Sequence, residues 1–183
     1  MKKIILTVFA ASSLLLYSTQ AFALLNFSAG IPMSQTYSGK DTSGNDIESD
    51  GVSGFFIQIG VPMLPGIGMD SYKAQVKCPT CDNPFYVSTT MYNLYYILPI
   101  PIINLTLGIG TGKSQFESGG ATGDDGTATQ FYTSIGVPII PLFDIHLSYR
   151  SVSSKIESTS GRDKGEKDDV GGNVMGLGIG FNF

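Results

Sequence analysis

The sequence predicts an all-β fold, an eight-stranded antiparallel up-and-down transmembrane β-barrel. Three observations carry this. The end of the chain, Asn173 to Phe183, alternates Met175, Leu177, Ile179, Phe181 and Phe183 with Gly176, Gly178, Gly180 and Asn182. A period of two over that length is a strand with one apolar and one small or polar face. All charges after residue 23 except Asp70 and Asp144 fall in the blocks 38–51, 73–84, 113–126 and 150–170. Charge-free segments between them suit a lipid-facing wall, where a mid-depth Lys or Arg costs about 2–4 kcal/mol. A soluble β-sandwich would also place charges on its outer faces, and a soluble periplasmic barrel is the alternative architecture. Finally, IGVPMLPGIG, LPIPIINLTLGIG and IGVPIIPLFDIHL repeat the order strand, proline turn, strand, at Pro62, Pro99 and Pro138.

The elements follow in order. Lys2 and Lys3 precede the apolar run Ile4 to Leu16, and Ala21-Phe22-Ala23 spells a cleavage site. Residues 1–23 are expected to be a secretory signal peptide and 24–183 the barrel domain. Of 11 basic side chains two lie in this leader, whereas all 15 acids follow it, so the exported part is acidic. No basic patch with interleaved aromatics favours a nucleic acid partner. The high content of Gly, 23 residues, between segments rich in Ile, Val, Phe and Tyr fits strands and turns.

Strand one is expected from Leu25 to Tyr37, with Pro32 at a bulge because it lacks a ladder donor. Strand two runs over Val52 to Val61. Strand three, Gly66 to Lys77, alternates poorly, and a bulge near Ser71 is expected to switch its faces. Strand four is Phe85 to Leu98 and strand five Ile102 to Ser114. Strand six is Thr127 to Val137 and strand seven Leu142 to Val152, before the closing strand. The intervening stretches 38–51, 78–84, 115–126 and 153–172 read as polar loops at one rim. The proline turns lie at the other.

Leu105, Leu107, Ile109, Ile135, Ile145, Leu147, Leu177 and Ile179 are expected to face lipid. Phe143, Phe181 and Phe183 are expected in one aromatic girdle, Phe85 and Tyr86 in the other. The leader, the eight-strand pattern and Phe183 preceded by Phe181, Ile179 and Leu177 resemble small bacterial outer-membrane proteins of the OmpA/OmpX type. In that class such an ending is the signal read by the outer-membrane assembly machinery. The resemblance implies a bacterial outer-membrane location with loops at the cell surface. It also implies outer-membrane lipid and the assembly machinery as partners, with an extracellular ligand to be met through the loops.

The candidate sites are few. The lumen face is rich in glycine, including Gly108, Gly136, Gly176 and Gly178. The expected reading is a narrower barrel filled by Phe56, Tyr72, Tyr95 and Tyr132, and a ligand-sized space left by those glycines is the alternative. Asp70, Lys113, Asp144, His146 and Arg150 are expected to form a lumenal polar network, since buried charges need partners.

His146 and Ser148 are the weak catalytic candidates. Their H-x-S spelling is similar to lipid A deacylases of the PagL kind, in which the pair faces lipid. Here Ile145, Leu147 and Tyr149 claim that side, and Tyr149 stands where those enzymes have Asn. Residues two apart on a strand are also roughly 7 Å apart, loose for a Ser–His hydrogen bond. Cys78 and Cys81 form a C-x-x-C that, in an exported loop, is expected to be a disulfide. One such pair does not complete a zinc site, and neither a metal nor a cofactor is expected.

The sequence therefore reads as a structural or surface-interaction protein rather than an enzyme. A narrow, porin-like channel or carrier for small or apolar solutes is the alternative, and a lipid-modifying enzyme the remote one.

Overall fold

A computed structural model describes residues 25–40, 44, 46–61, 63–77, 85–100, 103–118, 121–140, 142–157 and 167–183. The expected signal peptide, 1–23, and the expected disulfide of Cys78 and Cys81 lie outside these residues. Nine strands form among them: β1 (Asn26–Tyr37), β2 (Ser49–Gly60), β3 (Gly66–Val76), β4 (Phe85–Ile100), β5 (Ile103–Ser118), β6 (Ala121–Ile140), β7 (Phe143–Glu157), β8 (Lys167–Asp169) and β9 (Gly172–Asn182). Consecutive strands pair antiparallel from β1 to β7, β7 pairs with β9, and β9 pairs with β1. The ring therefore closes on eight strands. Closure is continued past the last strand, where Leu25 and Phe183 exchange both backbone bonds (3.0 and 2.8 Å). β8 stands outside the ring and pairs only with the upper end of β7.

Strand extends into two segments expected to be loops. β5 and β6 continue through the charged block 113–126, with Gln115 opposite Asp125 and Glu117 opposite Thr122. β7 runs on to Glu157 and is met by β8. Charge misleads here because a strand standing in water carries charge on its outer face. Nor does β3 bulge at Ser71. It keeps one register against β4 from Gly66 to Val76, and Gly66, Asp70, Tyr72 and Ala74 all point inward.

Pro32 does sit at a bulge, where the β1–β9 register shifts between Pro32 and Ser34. Because Leu25 faces β9 with both its backbone groups, the even-numbered positions up to Pro32 face β2. The β1–β2 ladder runs only from Asn26 to Gly30 and stops just before the residue that has no N–H to give.

Outward side chains define a belt. Ile109, Phe131, Ile135, Ile145, Leu147, Leu177 and Ile179 are exposed large apolar residues, in a band that encircles the barrel. Exposed apolar area on this scale does not suit water, and it matches the lipid-facing band of a membrane barrel. From Phe131 down to Ile139 the belt is roughly 20 Å tall, at about 3.3 Å per residue and about 40° of tilt. Phe143, Phe181 and Phe183 gather at the turn rim, with centroids 5.1 Å and 6.3 Å apart in sequence. Phe85 and Tyr86 do not form the upper girdle. They lie well above the belt, where Phe85 packs on Phe116 at 4.9 Å. The aromatics at the upper edge are Phe55, Tyr92, Phe131 and Tyr149.

Candidate functional site: a filled polar lumen beneath an apolar cap

The inward rows build the interior in layers. At the turn rim, Asn26 Nδ2 donates to Asn182 Oδ1 (2.7 Å). The Asp144 carboxylate accepts from Asn104 (3.1 Å) and Asn182 (3.3 Å) and lies 3.3 Å from His146 Nδ1. Ser28, Gln58, Thr106, Ser134, Asp144 and His146 border a cavity of about 20 Å³, room for about one water molecule. Above it Ser28 donates to Gln58 (3.0 Å), and Gln58 Nε2 donates to the Tyr132 hydroxyl (2.8 Å).

The next layer holds the buried ion pair. Arg150 Nε donates to Asp70 Oδ2 (2.9 Å), with 2% and 0% of the two side chains exposed. Gln130 Nε2 donates to the same carboxylate (2.6 Å) and to Asn93 Oδ1 (2.6 Å). Arg150 also donates to Ser148 Oγ, and its guanidinium lies 3.4 Å from the Phe56 ring centroid. A cation so enclosed is held by charge-assisted bonds and by the ring face together.

Glycines make room for this filling. A Cβ on Gly108 would stand 2.1 Å from Tyr132 Cε1, and one on Gly66 2.3 Å from Tyr95 Cζ. On Gly176 it would meet Phe56 at 2.4 Å, and on Gly178 it would meet His146 at 2.2 Å. The glycine-lined face is thus not an open space. Each missing side chain is replaced by a large one reaching in from another strand.

Above the ion pair the character of the interior changes. Phe56 meets Tyr72 edge-on (6.1 Å, 77°) beside Val174. Then Tyr37, Ala74, Val87, Ile156 and Val170 form a buried cluster, with Val52, Val76 and Phe116 packed against it. The outer face there is polar. Lys73 bonds Glu117, which also accepts from Ser88, and Lys113 bonds Asp125 at 2.8 Å. Hydrogen bonds from Lys73 and Ser88 hold the Glu117 carboxyl below the ordinary glutamate range. The hydrogen bond to Asp125 raises the Lys113 ammonium.

The sequence-derived residues divide accordingly. Asp70 and Arg150 meet, although far apart in the chain, and Asp144 and His146 meet at the turn rim. Lys113 is a correction: it does not enter the lumen. It is 75% exposed, on the outward row above Thr111, where water already solvates it. Ser148 donates to the Gly176 carbonyl (3.2 Å) and accepts from Arg150, and His146 Nδ1 lies against Asp144 rather than Ser148. Leu177, Ile179 and Phe183 point outward on β9 and its end. Sequence reasoning missed Asn93 and Gln130 as members of the network. Their signal was parity: each shares an inward row with a tyrosine, Tyr95 or Tyr132.

No family description and no characterised protein matches this chain by sequence. Solved structures do match in shape. The outer-membrane protein OprG from Pseudomonas aeruginosa is 12% identical, with a TM-score of 0.54 over 87% of this chain and 95% of OprG. Neisserial surface protein A is 13% identical, with a TM-score of 0.48 over 87% and 95%. Ail, the attachment invasion locus protein of Yersinia pestis, is 19% identical, with a TM-score of 0.46 over 87% and 97%. At such identities the likeness to OprG is one of fold. That fold is the small eight-stranded outer-membrane barrel, as in OmpA and OmpX.

Proposed function

We propose that this chain is a closed barrel of a bacterial outer membrane that presents a rigid β-structured extension at the cell surface. Its role is structural or surface-interacting, not transport. The observation that carries this is the inversion of the wall at the level of Tyr92 and Phe131. Below that level the outside is apolar and the interior polar. Above it the outside is charged and the interior holds the Tyr37, Val87, Ile156 and Val170 cluster. A strand that inverts in this way leaves lipid and enters water, and its apolar side then builds a core of its own. The extension is therefore a folded platform, and binding residues are commonly displayed on such scaffolds.

The proline turns would face the periplasm and the β5–β6 hairpin the exterior. An epitope inserted between Ser118 and Ala121 tests this orientation. It should be labelled by antibody on intact cells, in a protein that fractionates with the outer membrane and migrates differently unheated and boiled. An epitope beside Leu64 should be labelled only after the membrane is opened. Labelling of Leu64 alone on intact cells, or recovery of the protein as a soluble species, overturns the reading.

A further inference from the structure

Arg150 is engaged by Asp70, and the second acid of the lumen, Asp144, has no such cation. Among the described residues its ion-pair partner is His146, the only histidine of the chain. The Asp144 side chain is 6% exposed, and a carboxylate so enclosed calls for positive charge beside it. Its Oδ2 accepts from Asn104 (3.1 Å) and Asn182 (3.3 Å), which fix the group from one side and leave Oδ1 turned toward the imidazole. Glycines clear the space around both groups. A Cβ on Gly180 would stand 2.6 Å from Asp144 Oδ1, and one on Gly178 2.2 Å from His146 Nε2. Ser28, Thr106 and Ser134 add hydroxyls along the water-sized cavity that both groups border.

The 3.3 Å between His146 Nδ1 and Asp144 Oδ1 separates two arrangements. A charge-assisted hydrogen bond closes to about 2.7–2.9 Å. Two donors held at about 2.0–2.1 Å on one tetrahedral ion stand about 3.3–3.4 Å apart. The pair is thus set at the bite of a metal ion. A nitrogen and an oxygen donor together suit zinc, copper or nickel, whereas calcium and magnesium take oxygen sets. We infer that Asp144 and His146 form a binding site for a divalent first-row transition ion at the turn rim. Water in the adjoining cavity completes the coordination, and Asn104 and Asn182 orient the carboxylate. The bound ion supplies the positive charge that Asp144 calls for. The site is independent of the surface role proposed above. Two donors on one strand spell no metal motif, and the orienting amides come from β5 and β9, so the spacing of the sequence carried no sign of it.

The test uses the folded barrel in detergent, without a polyhistidine tag and stripped of metal by a chelator. Each protein is first checked for folding by its unheated and boiled gel mobility. The single histidine gives one imidazole signal in nitrogen-15 magnetic resonance, and Zn2+ is the probe. Wild type should bind one Zn2+ per chain, with a shift of that signal and a rise in the urea midpoint. His146→Gln should abolish binding. Asp144→Asn, which keeps the shape of the side chain, should weaken it at least tenfold. Asn182→Ala, which removes an orienting amide, should weaken it by about 10–100-fold. Ca2+ should neither shift the signal nor displace Zn2+. No effect of Zn2+ on folded wild type overturns the proposal, and a loss of stability in His146→Gln alongside that result would assign the pair as an ion pair only. Equal affinity in wild type and Asp144→Asn also overturns it, because the imidazole alone would then be the ligand. So does equal competition by Ca2+, which would mark an oxygen-only site.

Discussion

Gly108 lacks a side chain because Tyr132 occupies the place one would take. A methyl group there would lie 2.1 Å from Tyr132 Cε1, a tyrosine that is fully buried and bonded to Gln58. Gly108→Ala is expected to destabilise the folded barrel by about 1–3 kcal/mol, the usual range for overpacking. Truncating the ring should remove most of that penalty, so Gly108→Ala in a Tyr132→Ala background should cost less than alone. Urea titration of the four proteins in detergent or lipid gives the coupling, and additivity would refute the contact. The Asp70–Arg150 pair has a different signature. Asp70→Asn strands a buried guanidinium, and a loss of about 3–5 kcal/mol is expected. Replacing both partners, as Asp70→Leu with Arg150→Met, should cost less than Asp70→Asn alone. Asp70 was legible in the sequence as a lone ion outside the charged blocks, whereas Arg150, at the edge of the block 150–170, was one of two cations, with Lys113, expected to balance the lumenal acids. Lys113 was misread because a lysine near a strand end fits either face until the height of the belt is known.

Among elements, the β5–β6 hairpin is the clearest departure from expectation. Its strands pair well beyond Ser114 and Thr127, because the period of two persists through the charge: Lys113, Gln115 and Glu117 point out while Ser114 and Phe116 point in. Reading charge density as loop hid that parity. The membrane part was legible because its outward row is apolar without a break, and the proline turns set its register. The cap was not legible, since Tyr37, Val87, Ile156 and Val170 are single apolar residues on four segments far apart in the chain that converge only when the ring closes. The outer ion pairs give this hairpin a pH dependence. The Glu117 carboxyl is held low by Lys73 and Ser88, so its folded form favours the ionised state relative to the unfolded chain. The stability it contributes is present above the ordinary glutamate range and is lost as pH falls through the lower, folded value. Lys73→Met should therefore flatten the acid limb of the stability–pH profile, with little change near neutrality beyond that of an exposed pair. Hydrogen exchange of β5 and β4 amides between neutral pH and pH about 3 is the direct measurement, and an unchanged acid limb in Lys73→Met would rule the pair out as its source.

At the scale of the whole molecule, the question is whether anything passes along the barrel axis. An eight-stranded ring is just wide enough for its own side chains to fill. Here the filling is continuous: the tyrosines Tyr95 and Tyr132 stand in the lower half, the Arg150–Asp70 pair lies against Phe56 in the middle, and the apolar cap closes the top. A hydrated ion moving upward would leave a polar lumen and meet a dry cluster that offers its charge no ligands, which opposes entry independently of diameter. Wild type is therefore expected to give no single-channel steps in planar bilayers. Layering sharpens the expectation. Phe56→Ala opens only the middle level, and the cap above still seals the path, so this variant should remain silent as well. Widening has to reach the cap, and Val87→Ser with Ile156→Ser in the Phe56→Ala background is the combination expected to admit ions. Discrete conductance from wild type would show that the packed interior is not the resting state in a bilayer. Conductance from Phe56→Ala alone would show that the cap is no barrier, and with it would fall the view of the extension as a sealed platform.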